Sequence, residues 1–144
     1  MSDYGGGLPD LGGGDYPVSY ERTFDGTLGL EVLEIGPERA VGRVRAGDGS
    51  FQRWGMVHGG VYAGLAEMIA SEATAVGVWE EGKLGLGLAN HTNFLRPVMD
   101  GFVEAEARRR HAGRTTWVWD VDMRDEQGRL CATSRVTIAV RDRP

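Results

Sequence analysis

The sequence has one cysteine, Cys131, in 144 residues, which excludes an internal disulfide framework. Disulfide-rich scaffolds belong to oxidising compartments, so a single cysteine fits a reducing one, and we expect a cytoplasmic location. We expect Cys131 to be a small core residue in an apolar strand. The first residues lack the basic and apolar regions of a secretory signal.

Long apolar runs and long basic runs are also missing. No apolar segment approaches the roughly 20 residues that a helix needs to cross a bilayer. The formal net charge is −5, so neither nucleic acid nor an anionic membrane surface is an expected partner. The three histidines, His58, His91 and His111, lack metal-ligand spacing, so no metal site is expected. Neither a G-x-S-x-G motif nor a phosphate-binding glycine loop is found.

What remains is a globular composition, with 41% hydrophobic and 26% charged residues. The length suggests one domain with a core large enough to fold alone. Glycine, aspartate and proline dominate residues 1–15, which are expected to form a flexible tail. Residues 16–144 are then expected to form a single domain.

The hydrophobic pattern predicts one long helix among six strands. Val61, Leu65, Met68 and Ile69 recur at helical spacing, which predicts a helix from Gly59 or Gly60 to Val76 that stops at Gly77. Two strands are predicted before it, within 27–36 and 39–47, and four after it in meander-like succession, within 83–98, 102–112, 114–126 and 129–140. This order predicts an α+β architecture, an antiparallel sheet with one helix packed on a face.

Glu67 lies in the middle of the apolar helix. An ionised carboxylate in apolar surroundings is costly unless it is paired or solvated. Ser71, four residues later, shares its helix face. Two interpretations stay open: this face simply meets water, as on any surface helix, or Glu67 carries chemistry.

Gly59 and Gly60 stand at the helix start, where backbone N–H groups lack intrahelical partners and the helix dipole is positive. Such a terminus can hold a developing oxyanion, although a plain glycine turn is the alternative. Gln52 and His58 flank this start. His58 could support a substrate site or only form a hydrogen bond within the loop.

The spacing between the helix start and the carboxylate leads to a prediction about assembly. Gly59 and Glu67 are eight residues apart, or about 12 Å along a helix, too far for one carbonyl group to touch both. Two antiparallel copies of the helix would bring Glu67 of one subunit opposite Gly59 of the other. The spacing therefore predicts a twofold dimer if both residues act on one substrate.

Several segments together resemble a known family: "RWGMVHGG", "LAEMIASEAT", "NHTNFLRPV", "HAGRTTWVWDV" and "GRLCATS". They are similar to hot-dog-fold acyl-CoA thioesterases, and most to the 4-hydroxybenzoyl-CoA thioesterases whose carboxylate lies midway along the helix. The resemblance runs from about Leu8 to Arg143. It implies a hot-dog fold, in which a highly curved antiparallel sheet of about six strands wraps one long helix.

The resemblance also implies roles for the residues around the helix. Glu67 would act as nucleophile or general base, and the Gly59 N–H would polarise the thioester carbonyl. Gln52 and His58 would support the same pocket. Ser71 stands where the family has threonine and keeps the hydroxyl that could orient water or Glu67.

For the coenzyme A part of the substrate, the resemblance implies contacts from Arg96 and Thr115. Arg114 replaces a family serine, so a phosphate contact and a solvated side chain both stay open. Arg143 is a further candidate. No separate cofactor is implied.

The implied reaction is hydrolysis of 4-hydroxybenzoyl-CoA to 4-hydroxybenzoate and coenzyme A, by a homodimer assembled into a homotetramer. Another acyl-CoA substrate, such as phenylacetyl-CoA, and a non-catalytic acyl-CoA-binding module are the alternatives.

Overall fold

The computed structural model describes residues 16–144, so the predicted tail, residues 1–15, lies outside the described residues. Two helices and six strands follow one another: α1 (Phe24–Leu28), β1 (Glu31–Ile35), β2 (Arg39–Arg45), α2 (Gly59–Val78), β3 (Lys83–Phe94), β4 (Phe102–Ala112), β5 (Thr116–Asp125) and β6 (Leu130–Asp142). All strand pairs are antiparallel. The predicted α+β architecture, one long helix on a six-stranded antiparallel sheet, is confirmed.

The strand order is β1-β2-β4-β5-β6-β3, which corrects the predicted meander-like succession. Only β4, β5 and β6 follow one another as a meander, while β3 lies at the far edge beside β6. The reason is the position at which α2 ends. The Arg143 N–H, just after β6, donates to the Gly82 carbonyl at 2.9 Å, so the chain leaving the helix enters the sheet at the β6 edge.

The core lies between α2 and the face of the sheet that it covers. Leu65 and Ile69 on α2 are fully buried. Residues from five strands meet them there: Val32, Val44, Val103, Val121 and Ile138. Cys131 is also fully buried, as predicted for a small core residue.

None of the helices in residues 16–144 has the length and apolar character to span a membrane.

The helix does not stop at Gly77 as predicted. It continues to Val78 and tightens into a 3₁₀ turn, Trp79–Glu81. Gly77 is a packing residue: a side chain there would come within 2.4 Å of the Trp117 ring. The left-handed glycine that ends the segment is Gly82, with φ of 73°.

The first predicted strand also begins too early, because part of 27–36 belongs to α1. The Thr23 hydroxyl caps α1 by accepting from the Gly26 N–H at 3.1 Å, and the helix ends at Gly29. The Phe24 ring lies against α2 at Gly64. α1 therefore packs against the long helix α2.

One buried hydrogen-bond chain ties α2 to the sheet. The Trp119 indole N–H donates to the Thr74 hydroxyl at 2.8 Å, and this hydroxyl donates to the Ala70 carbonyl at 2.8 Å. Trp119 and Thr74 are both fully buried. The hydroxyl therefore satisfies an indole N–H that water does not reach.

We expect Thr74→Val to destabilise the protein by about 1–3 kcal/mol, because it leaves the indole N–H buried without an acceptor. Urea unfolding followed by circular dichroism measures the change as a lower midpoint at unchanged slope. Thr74→Ser is the matched control, since it keeps the acceptor. Equal stability of the two variants would contradict this account.

Candidate active site

The start of α2 is capped by His58. Its Nδ1 accepts from the Gly60 N–H at 2.8 Å, and its backbone N–H donates to the Ser50 carbonyl at 2.8 Å. The capping nitrogen is therefore an acceptor, which leaves Nε2 as the protonated position when the ring is neutral. The Gly59 N–H makes no hydrogen bond within residues 16–144, so it is available to an external acceptor.

A cleft of about 490 Å³ opens at this helix start. It brings together Gln52, Gly59 and Arg96 among apolar and aromatic side chains. Phe94 and Tyr62 pack with ring centroids 6.0 Å apart, and a side chain at residue 59 would come within 2.9 Å of the Phe94 ring. The Gln52 side-chain oxygen accepts from the Trp54 N–H. The cleft thus combines a free amide donor, a guanidinium group and an aromatic wall.

Glu67 is half-buried, and each of its carboxylate oxygens meets a donor. The Ser71 hydroxyl donates to Oε1 at 3.4 Å, and the Asn90 side-chain amide donates to Oε2 at 3.3 Å. The same amide nitrogen donates to the Ala63 carbonyl at 2.9 Å. Glu67 is therefore held by two structural elements, α2 and β3, rather than simply facing water.

The close approach of β3 to Glu67 depends on Gly87. A Cβ atom at Gly87 would lie 2.0 Å from Oε1 of Glu67, so no side chain fits there without moving the carboxylate. The register of β3 on β6 shifts between Gly87 and Ala89. Leu88 is the extra residue of this bulge, and after it the even-numbered residues face α2. The bulge is the reason that Asn90, rather than Ala89, meets Glu67.

Asn90 is the site residue that the sequence analysis missed. A signal was present in "GLGLAN", since glycine at every second strand position often marks close approach of another segment. The pattern alone could not identify Asn90, because the bulge reverses which residues face the helix.

Asp25 interacts with Glu67, and Glu72 interacts in turn with Asp25. Burial raises the pKa of Asp25, on α1, and the charge of Glu67 adds to this shift. Burial raises the pKa of Glu72, on α2, to about 7, and Asp25 adds to it. Packing of α1 against α2 therefore places a second carboxyl group, that of Asp25, close to Glu67.

The residues expected to contact coenzyme A fall into two groups. Arg96 lines the cleft at the N-terminal end of α2. Thr115 lies in the β4–β5 turn beside exposed Arg114, and its carbonyl accepts from the Arg141 guanidinium at 3.1 Å. The Arg143 guanidinium lies 3.9 Å from the Trp79 ring centre, at the C-terminal end of α2. A 20-residue helix is about 30 Å long, so Arg143 is remote from Gly59 within one chain.

Within one chain the cleft and the carboxylate are also separate. Gly59 and Glu67 belong to one continuous helix, so about 12 Å divides the free amide from the carboxylate along its axis.

In the described part of the chain, histidine, cysteine and acidic side chains nowhere form a group of three or more suited to a metal ion.

Comparison with known proteins establishes the family to which this chain belongs. Residues 55–132 match the family model described as the thioesterase superfamily. A 1,4-dihydroxy-2-naphthoyl-CoA hydrolase from Listeria monocytogenes is 35% identical over 115 residues, which cover 80% of this chain and 93% of the relative. The chain belongs to the thioesterase superfamily. It is an enzyme of the thioester hydrolase class.

Solved structures agree with this assignment. A thioesterase from Haemophilus influenzae superposes with a TM-score of 0.80 at 36% identity, over 84% of each chain. A mutant thioesterase from Pseudomonas aeruginosa gives a TM-score of 0.79 at 30% identity, over 83% of this chain and 86% of that one. The hot-dog fold implied by the sequence motifs is confirmed.

We expect Gly87→Ala to lower the kcat of thioester hydrolysis about 100-fold, because the new methyl group displaces Glu67 by about 1 Å or more. Thiol release from an acyl-CoA measures the rate. Gly47→Ala is the matched control, since a side chain at that loop glycine meets no atom within 4 Å. Equal rates for both variants would mean that the Gly87–Glu67 contact has no role in the reaction.

Proposed function

We propose that this thioesterase hydrolyses the coenzyme A thioester of a hydroxylated aromatic acid, with 4-hydroxybenzoyl-CoA as the first candidate substrate. The observation that carries the proposal is the pairing of two half-sites: a free helix-start amide in an aromatic cleft and a carboxylate held in mid-helix. The sequence motifs of the 4-hydroxybenzoyl-CoA type support this choice of substrate. An acyl group with a flat ring also suits a cleft walled by Phe94 and Tyr62.

In the proposed mechanism the Gly59 N–H and the positive end of α2 stabilise charge on the thioester oxygen. Gln52, in the same cleft, assists at that oxygen, and His58 keeps the helix start in place. Glu67 of the partner subunit attacks the carbonyl carbon or takes a proton from the attacking water. In either route the C–S bond breaks and coenzyme A leaves; where Glu67 attacks, water then hydrolyses the mixed anhydride that forms. Water supplies the oxygen of the released acid and the proton of the coenzyme A thiol, and Glu67 is regenerated. Ser71 orients Glu67 or the water.

We also propose that a homodimer is the minimal active unit and that two dimers form a homotetramer. The edge strand β3 supports the dimer, because no strand within residues 16–144 pairs with its outer side. Leu86 and Leu88 on this strand are 55% and 60% exposed. An unpaired apolar edge is a common site of strand pairing between subunits. The tetramer rests on the resemblance alone.

Arg96 is the proposed contact for the coenzyme A phosphates at the cleft. Its guanidinium is exposed and makes no ion pair within residues 16–144, so it is available to an anion. Arg114, Thr115 and Arg143 are proposed as a second group of nucleotide contacts at the other end of α2.

A second candidate substrate is 1,4-dihydroxy-2-naphthoyl-CoA. The observation that favours it is the similarity to the hydrolase of that name from Listeria monocytogenes. Both candidate acyl groups carry the thioester carbonyl directly on a hydroxylated ring, so the same chemistry serves either one.

A substrate panel tests the proposal. Thiol release is measured with 4-hydroxybenzoyl-CoA, 1,4-dihydroxy-2-naphthoyl-CoA, phenylacetyl-CoA and a straight-chain acyl-CoA. We expect the highest kcat/KM for one of the two hydroxylated aryl thioesters. A preference for the straight-chain substrate, or tight binding without turnover, would refute the proposed function.

We expect Glu67→Ala to lower kcat by about 10³-fold or more, because it removes the proposed nucleophile or base. The same thiol-release assay measures it, with Glu80→Ala as the control, since Glu80 is an exposed glutamate of the 3₁₀ turn after α2. Near-normal turnover of Glu67→Ala would remove Glu67 from the mechanism.

The shared site has its own test. Each proposed site takes Glu67 from one subunit and Gln52 from the other. Mixing Glu67→Ala and Gln52→Ala subunits therefore creates one intact site in each mixed dimer. Random subunit exchange makes about half of the dimers mixed, and each mixed dimer has one intact site of two. We therefore expect activity to recover to about a quarter of the wild-type value. No recovery, with exchange shown by native mass spectrometry, would place both residues in the same subunit's site.

A further inference from the structure

We propose that Asn90 is a positioning residue for Glu67 and that Thr92 and Ser134 fix the direction of its side-chain amide. The inference rests on the proposed catalytic role of Glu67. It assigns to β3 a part in the reaction that the sequence motifs do not indicate.

The first step is the fork of hydrogen bonds from one amide nitrogen. Asn90 Nδ2 carries two protons, and they go to two acceptors on α2. One is the Ala63 carbonyl at 2.9 Å and the other is Oε2 of Glu67 at 3.3 Å. The shorter contact anchors the amide to the helix backbone. The longer one then holds the carboxylate at a fixed position relative to that backbone.

The second step is the direction of the amide. Asn90 Oδ1 accepts from the Thr92 hydroxyl at 2.7 Å. That hydroxyl has one proton, so its 2.7 Å contact with the Ser134 hydroxyl must run from Ser134 to Thr92. A flipped amide would turn its oxygen towards two acceptors, the Ala63 carbonyl and Glu67. Ser134 donates to Thr92, and Thr92 donates to Asn90 Oδ1. This hydrogen-bond relay therefore fixes Oδ1 towards Thr92 and leaves Nδ2 facing the Glu67 carboxylate.

The third step is the rigidity of the support. Thr92 and Ser134 are direct partners on β3 and β6, and Ser134 is 6% exposed. The relay is thus anchored in the sheet, whereas Ser71 reaches Glu67 from the helix. Two donors from two elements restrict the rotation of the carboxylate.

Steady-state kinetics of Asn90→Ala test the inference. We expect kcat to fall about 10–100-fold, because Glu67 remains but loses its orientation, while KM stays within about threefold, because Asn90 does not touch the substrate. Asn93→Ala is the matched control: it is an exposed asparagine on the same strand whose side chain makes no hydrogen bond within residues 16–144.

A second pair of variants separates positioning from folding. Thr92→Val removes the donor to Asn90, and we expect it to lower kcat about tenfold. Thr92→Ser keeps the hydroxyl, and we expect it to restore kcat to near the wild-type value. Melting temperature and gel filtration identify any variant that loses its fold or assembly. If Asn90→Ala fails to fold, the ratio of the two Thr92 variants decides the question alone.

The outcomes distinguish this inference from the proposed function. If Glu67→Ala is inactive but Asn90→Ala keeps normal kcat, the positioning role is wrong and the catalytic role of Glu67 stands. Equal kcat for Thr92→Val and Thr92→Ser would overturn the relay. If Glu67→Ala turns over normally, the proposed function fails first, whatever Asn90 does.

Discussion

The close approach of α2 to the edge strand β3 is the constraint on which the candidate site depends. Glu67 lies directly against the backbone at Gly87, where a Cβ atom would stand 2.0 Å from its oxygen. Only this proximity lets a strand residue, Asn90, reach the carboxylate. A carboxylate in such a position is costly without donors. The fold therefore supplies one donor from the helix itself and one from the strand beside it.

The same strand serves both half-sites, and its geometry matches that of the helix. From Asn90 to Phe94 the strand advances about 13 Å, at roughly 3.3 Å per residue. From Glu67 back to Gly59 the helix covers about 12 Å. Asn90 therefore reaches Glu67 while Phe94 covers Gly59. The bulge at Leu88 makes this possible, because it turns both side chains towards α2.

Sequence patterns identified the long helix and the approximate ranges of all six strands, because hydrophobic periodicity is a local signal. These patterns failed where a tertiary contact overrides the local sequence signal. Gly77 looked like a helix stop, but the Trp117 ring packs there and the helix continues. α1 was missed because its Thr23 cap, which precedes the predicted strand 27–36, was not recognised, and the end of the helix was assigned to that strand. The spacing of Gly59 and Glu67 showed that the two residues lie apart within one chain. Asn90 could not be identified, because a bulge moves every later side chain of the strand to the opposite face.

Because Glu67 is held from two elements, its orientation depends on how α2 docks on the sheet. Thr74 connects that docking to the core: its hydroxyl binds the Trp119 indole, and its side chain comes within 3.0 Å of where a Cβ at Gly85 would lie. A shift of α2 relative to β3 would therefore stretch the Asn90–Glu67 contact, while the Ser71 contact, within the helix, would persist. The strand contact is thus the one through which packing in the core acts on the carboxylate. The amide that makes this contact is itself hydrogen-bonded through Thr92 to buried Ser134, so the strand side of the contact is tied to β6.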